Sequence, residues 1–245
     1  MADVHSVLHD KTVFVTGGGR GLGRAICRRL GAAGACVVVG DVDHGSAERC
    51  RDELRAAGVT ALSRAFDVAD PGAVRRALHE TIEETGGLYA VINDAAIDVT
   101  APVDEIEIKA WHRVLMTNLF GPYVVAREAV PLMKAHGGGH IVNIASTAAK
   151  RAWPNASAYH ATKWGLLGLS YALHAELRPY AIKVCAIVAG GMRTPFLLDR
   201  FPDIDPQLLQ PPENVAETVR FVLEQPPDTV IPELMVLPMK ETSWP

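Results

Sequence analysis

Short apolar runs, each closed by a glycine, proline, aspartate or asparagine, recur along the chain. Between them, apolar residues return every three or four positions. The short runs predict buried parallel strands near 11–16, 35–40, 61–68, 88–92, 139–145, 183–188 and 230–237. The periodic stretches predict helices near 22–33, 46–57, 71–85, 111–134, from 157 onward, and 213–224. Strand and helix alternate without a composition break, an internal repeat or a linker. That order predicts one α/β domain built on a doubly wound parallel sheet. Short tails flank it at 1–10 and 239–245, and a proline-rich loop with a short helical piece at 202–212 lies over the site.

Composition narrows the function. At 245 residues the chain is long enough to bury a substantial core, and its net charge of −4 speaks against a nucleic-acid surface. Arg28 and Arg29 form only a small basic group on the solvated side of a helix. No apolar run reaches the ~18 residues needed to span a bilayer, and 1–9 lack the apolar core of a signal peptide. Cys27, Cys36, Cys50 and Cys185 are scattered, as expected of reduced cysteines in a cytoplasmic protein. The nine histidines show no ligand spacing, so no metal is expected.

Candidate chemistry enters at the first strand end. Thr16-Gly17-Gly18-Gly19-Arg20-Gly21-Leu22-Gly23 separates a predicted strand from a predicted helix. Bare N–H groups at such a helix start, with side chains absent before it, suit a pyrophosphate. The spacing Gly-x-x-x-Gly-x-Gly differs from the usual Gly-x-Gly-x-x-Gly, and no P-loop Lys-Ser/Thr follows. Asp41 closes the second strand about 20 positions on, where an acidic residue accepts from ribose hydroxyls and repels a 2′-phosphate. Asp41 therefore favours NAD over NADP, while Arg20 in the glycine loop is the one feature that favours NADP.

The second candidate lies at 143–163. Ser146 ends a predicted strand, and Tyr159 and Lys163 stand four apart on one predicted helix face. A cation beside a phenol favours its ionised form and so prepares it for proton transfer with an alcohol or ketone. A bare Tyr-x-x-x-Lys also arises as a plain surface pair, so the other motifs must decide. Asn118, polar in an apolar neighbourhood, reads on its own as a helix asparagine satisfied by backbone.

Taken together, these residues make the chain resemble the classical short-chain dehydrogenase/reductase family from 11 to 237. The matching pieces are Thr16-Gly17-x-x-x-Gly21-x-Gly23, Asp67, Asn93 with Ala95, Asn118, Ser146 and Tyr159-x-x-x-Lys163, in register. The resemblance implies a Rossmann-type, seven-stranded parallel sheet with helices on both faces, and a homotetramer or dimer. It implies Tyr159 as catalytic acid/base and Lys163 lowering its pKa while binding the nicotinamide ribose. Ser146 would bond the substrate oxygen, and Asn118 would hold a water linking Lys163 to solvent. Gly17, Arg20, Gly21, Leu22 and Gly23 would cradle the cofactor, with Asp67 and Val68 at the adenine, Asn93 and Ala95 at the adenosine side, and Thr194 at the carboxamide.

Two departures stand out. The family's Asn-Asn-Ala-Gly is Asn93-Asp94-Ala95-Ala96, and its Pro-Gly after strand six is Ala189-Gly190 with a second glycine, Gly191. By family placement, Asp98, Lys150, Arg151, Trp153, Met192 and Arg193 line the substrate pocket; Asp98 reads first as a solvated loop carboxylate, and beside Trp153 it would suit a polyol, amino alcohol or sugar-like substrate. The expected activity is hydride transfer between NAD(H) and a small polar secondary alcohol or ketone. The alternatives are an NADPH-dependent ketoreductase and a non-catalytic dinucleotide sensor.

Overall fold

The computed structural model describes residues 6–240. Trp244 lies in the C-terminal tail, where the sequence is equally compatible with packing on a neighbouring subunit and with a disordered tail, and it falls outside the described residues. The strands are β1 (Thr12–Thr16), β2 (Cys36–Asp41), β3 (Ala61–Ala65), β4 (Ala90–Asn93), β5 (Gly139–Ser146), β6 (Ile182–Ala189) and β7 (Glu233–Val236). All pair in parallel in one seven-stranded sheet of order β3-β2-β1-β4-β5-β6-β7. The helices are α1 (Gly21–Gly31), α2 (His44–Ala56), α3 (Pro71–Thr85), α4 (Ile108–Leu115), α5 (Gly121–Ala135), α6 (Ser157–Leu177), α7 (Pro195–Leu198) and α8 (Pro212–Leu223).

Strand residues feed the two faces alternately. Val13 and Val15 join a core with Ile26 and Leu30 of α1, Leu54 of α2 and Val219 of α8. Phe14 between them joins a second core with Leu78 of α3 and Val125 and Met133 of α5. A parallel sheet buried on both faces needs such continuous apolar strands, which is why the sequence reads as short apolar runs. The ordering reverses between β1 and β4, and their carboxyl ends leave a crevice there.

Three boundaries differ from expectation. β3 stops at Ala65, opposite Asp41 at the end of its partner β2; the Phe66 N–H still donates to Asp41 O at 3.0 Å, and Asp67 and Val68 lie beyond the ladder. β7 is an edge strand that pairs only along Ala186–Ala189, so it shrinks to Glu233–Val236. The single helix expected at 111–134 is interrupted at Met116–Phe120 by a wide π turn, in which the Gly121 N–H donates to Met116 O. Such turns add a residue to the helical ladder and push a side chain out of line. Here that side chain is Asn118, which is buried.

Candidate active site

The crevice is a cleft of about 850 Å3 running from the glycine turn past Tyr159 to the segment 195–209. At its first end, Gly17 holds φ +69°, and a Cβ there would stand 2.8 Å from Ala95 Cα. A Cβ at Gly23 would meet Gly17 O at 2.1 Å, so the turn closes only around glycine. Asp43 and Asp70 cap α2 and α3 by accepting from first-turn N–H groups. α1 has no such cap: Arg20 precedes it without a side-chain bond, and its first turn carries no acidic residue. The free N–H groups and the positive end of the helix dipole therefore meet the cleft, a fit for an anionic pyrophosphate.

Asp41 stands at the rim of this half. Its Oδ2 accepts from the Gly19 N–H and its Oδ1 from the Asp43 N–H, each at 3.0 Å. Two backbone donors hold the carboxylate in place, and its remaining lone pairs are available to hydroxyl donors. Gly17, Arg20, Gly21, Leu22, Asp67, Val68, Ala95 and Thr194 line the cleft as well. Gly23 acts beneath the turn. Asn93 does not line the cleft; its buried amide donates to Asn143 Oδ1 at 2.8 Å, and Asn143 donates to Ser170 Oγ at 2.9 Å. That chain of bonds ties the end of β4 and the middle of β5 to α6.

Ser146, Tyr159 and Lys163 meet on the cleft floor. The Ser146 hydroxyl accepts from the Ala148 N–H at 3.1 Å and lies within hydrogen-bonding reach of the Tyr159 phenol. Lys163 Nζ donates to Ile144 O at 2.7 Å and lies 5.5 Å from the centre of the Tyr159 ring. Burial raises the Tyr159 phenol to about 12, only partly offset by the Ser146 hydrogen bond. Burial also lowers the Lys163 ammonium to about 8, although Asp94 and Asp98 support its charge. Burial thus acts on the phenol against the lowering by Lys163 that the family resemblance implies.

Asn118 is satisfied by backbone, as its residue type and apolar setting suggest. Its Oδ1 accepts from the Ile97 N–H at 2.8 Å, and its Nδ2 donates to Ile97 O at 2.7 Å. The side-chain amide is committed to backbone and fixes the segment after β4 that carries Asp98. Asp94 lies between the glycine turn and Lys163; burial raises its carboxyl to about 7 against the pull of Lys163 and of the Gly23 N–H.

Beyond Tyr159, Asp98, Arg151, Trp153 and Met192 line the cleft as the sequence suggests. Lys150 and Arg193 do not. Lys150 pairs with Glu233 at 2.8 Å, and Arg193 Nη1 donates to Leu209 O at 3.0 Å, holding the segment 195–209 in place. Asp98 is not free for a polyol, since its buried carboxylate pairs with Arg200. Arg200 also donates through Nε to Phe196 O at 2.9 Å and stacks on the Phe196 ring at 4.4 Å. Phe196 in turn lies 5.9 Å from the Tyr159 ring.

Arg200, Phe196 and His160 escaped the sequence reading. Arg200 pairs across 102 positions, a separation without a local signal. His160 had one, since it directly follows Tyr159 and so points from the same helix start. It accepts from the Trp153 N–H at Nε2 (3.1 Å), its Nδ1 lies 2.9 Å from Ala148 O, and its ring packs edge-on against Trp153 at 4.3 Å.

Known proteins match this arrangement. The family model described as short chain dehydrogenase matches residues 11–205. Cyclohexanol dehydrogenase of Acinetobacter sp. is 32% identical over 223 residues, covering 88% of each chain. The crystal structure of 3-ketoacyl-(acyl-carrier-protein) reductase from Brucella melitensis complexed with NADH superposes with a TM-score of 0.87 at 29% identity, covering 95% of this chain and 99% of that one. A metagenomic short-chain oxidoreductase in complex with NADP gives a TM-score of 0.84, also at 29% identity, over 95% and 98%. Sheet order, glycine turn and the matched stretch agree, and the chain belongs to the short-chain dehydrogenase family, oxidoreductases that act on alcohol and ketone groups.

Proposed function

We propose that the protein transfers a hydride between NAD(H) and a small secondary alcohol or its ketone, with Tyr159 as acid/base. The observation that carries this reading is the single cleft in which Ser146, Tyr159 and Lys163 lie between an uncapped helix start and a ring-lined compartment. The nicotinamide of a bound cofactor supplies the hydride acceptor or donor and, when oxidised, a positive charge near the phenol. Tyr159 takes the alcohol proton, or returns it to the ketone oxygen. Ser146 orients that oxygen by a hydrogen bond, and Lys163 places positive charge beside the phenol. Gly17, Gly21 and the α1 start receive the pyrophosphate, and Thr194, which lies directly beside Gly21, closes over the nicotinamide end.

NAD is favoured over NADP by Asp41. A 2′-phosphate there would meet a carboxylate held by two N–H groups and unable to swing away. Arg20 is exposed at the mouth and offers weaker, screened compensation. On the substrate side, Trp153, Met192, Phe196, Leu197, Phe201 and Leu209 give mostly apolar walls. These suit a compact ring-sized body better than a polyol, in keeping with the cyclohexanol activity named for the Acinetobacter relative.

Thermal unfolding with matched NAD and NADP tests the cofactor half, because a ligand that binds only the folded state raises its stability. NAD should give the larger shift, and Asp41→Ala should shrink it. A larger shift with NADP, or one that Asp41→Ala leaves unaltered, contradicts the assignment of Asp41.

A further inference from the structure

The charges of the substrate compartment do not balance. Among the described residues four carboxylates line the cleft: Asp41, Asp67 and Asp94, which lie on or near the glycine turn and the strand ends, and Asp98, which lies beside Arg200. Arg200 already takes Asp98, so that pair presents little net charge. Arg151 remains: half-buried, lining the same compartment, and without a hydrogen-bonded or ionic side-chain partner among the described residues. Arg113, exposed on α4, adds positive charge at the rim.

The backbone around Arg151 is anchored. The Arg151 N–H donates to Thr147 O at 3.1 Å, directly after the turn that follows Ser146. His160 fixes the chain on either side, by its contact with Ala148 O and by accepting from the Trp153 N–H. Farther along, Asn155 O accepts from the Ala101 N–H at 2.9 Å. A half-buried guanidinium without a partner is a ready donor to an anion, and its planar fork matches a carboxylate with two parallel hydrogen bonds.

We propose that the substrate carries a carboxylate besides its secondary alcohol, and that Arg151 receives it. This rests on the dehydrogenase reading of the site and goes beyond it by naming the substrate class. The walls then hold the apolar body, Tyr159 and Ser146 take the hydroxyl end, and Arg151 takes the acid end. The same fork would receive a phosphate monoester, so that group forms a separate arm of the test.

The test compares cyclohexanol, 4-hydroxycyclohexanecarboxylate, its methyl ester and cyclohexanol bearing a phosphate at position 4, with wild type, Arg151→Met and Arg151→Lys. In wild type the acid should exceed the ester in kcat/KM by about ten- to a hundredfold, the range of a charge-assisted hydrogen-bonded pair. Arg151→Met should bring that ratio close to one, and Arg151→Lys should keep part of it. Thermal unfolding of each variant separates this loss from misfolding. An ester turned over as well as the acid, or a ratio unaltered in Arg151→Met, overturns the proposal, as does a phosphate preferred over the acid. If no alcohol is turned over with either cofactor, the dehydrogenase reading fails. Calorimetric titration of the protein with acid and ester then decides: tighter binding of the acid that Arg151→Met abolishes upholds Arg151, and equal binding overturns it.

Discussion

Asp94 shows how one carboxyl in the cleft floor sets a pH dependence. Burial raises it to about 7 from an ordinary value near 3.8. Between those values the folded state holds a proton that the unfolded chain releases, so stability falls as pH rises. The contribution is fully present below about 3.8 and is lost as pH passes 7. Asp94→Asn, which cannot ionise, should therefore melt higher than wild type at pH 8 and no higher at pH 4. Equal melting curves at pH 8 would show that the carboxylate is well solvated there. The same substitution removes support for the Lys163 charge, so the gain in stability should come with a pH–rate profile shifted in its Lys163-dependent limb.

At the scale of elements, the glycine turn and α1 form the most constrained unit. Gly23→Ala would drive a methyl group into Gly17 O, which cannot retreat because Gly17 itself lies against Ala95. The expected result is a loss of about 1–3 kcal/mol of stability from overpacking, and NAD affinity at least about tenfold weaker because the α1 start shifts. A melting curve and an NAD titration like those of wild type would contradict this account. This unit was legible in the sequence, since strand, glycines, helix and Asp41 lie within 30 residues of one another and act locally. Tyr159 and Lys163 were legible for the same reason, as neighbours on one helix face. The Asp98–Arg200 pair was not, because it depends on how the segment 195–209 folds back across the cleft. Nor did spacing reveal that Asn118 would leave the regular ladder at a π turn, or that β3 would end where β2 stops. Pairing partners set those limits, and partners lie outside the local pattern.

Over the whole molecule, one sheet buried between two helical layers gives the cleft its rigid floor, while the segments at its rim supply choice of substrate. Among the described residues no helix is long and apolar enough to cross a membrane. Trp164 and Tyr171, two turns apart on α6, are 53% and 44% exposed and so present an aromatic face to solvent. Light scattering should accordingly report a dimer or tetramer of the 26.3 kDa chain, and a monomer at working concentration would contradict that expectation. The central claim is that Tyr159 moves the proton while the cleft holds NAD. Its most direct test is NADH formation from cyclohexanol and from 4-hydroxycyclohexanecarboxylate by wild type and Tyr159→Phe, with NAD affinity titrated in both. Loss of the phenol should cut kcat about a hundred- to ten-thousandfold while leaving NAD affinity within a few-fold. Turnover by Tyr159→Phe close to that of wild type would contradict the account at its centre.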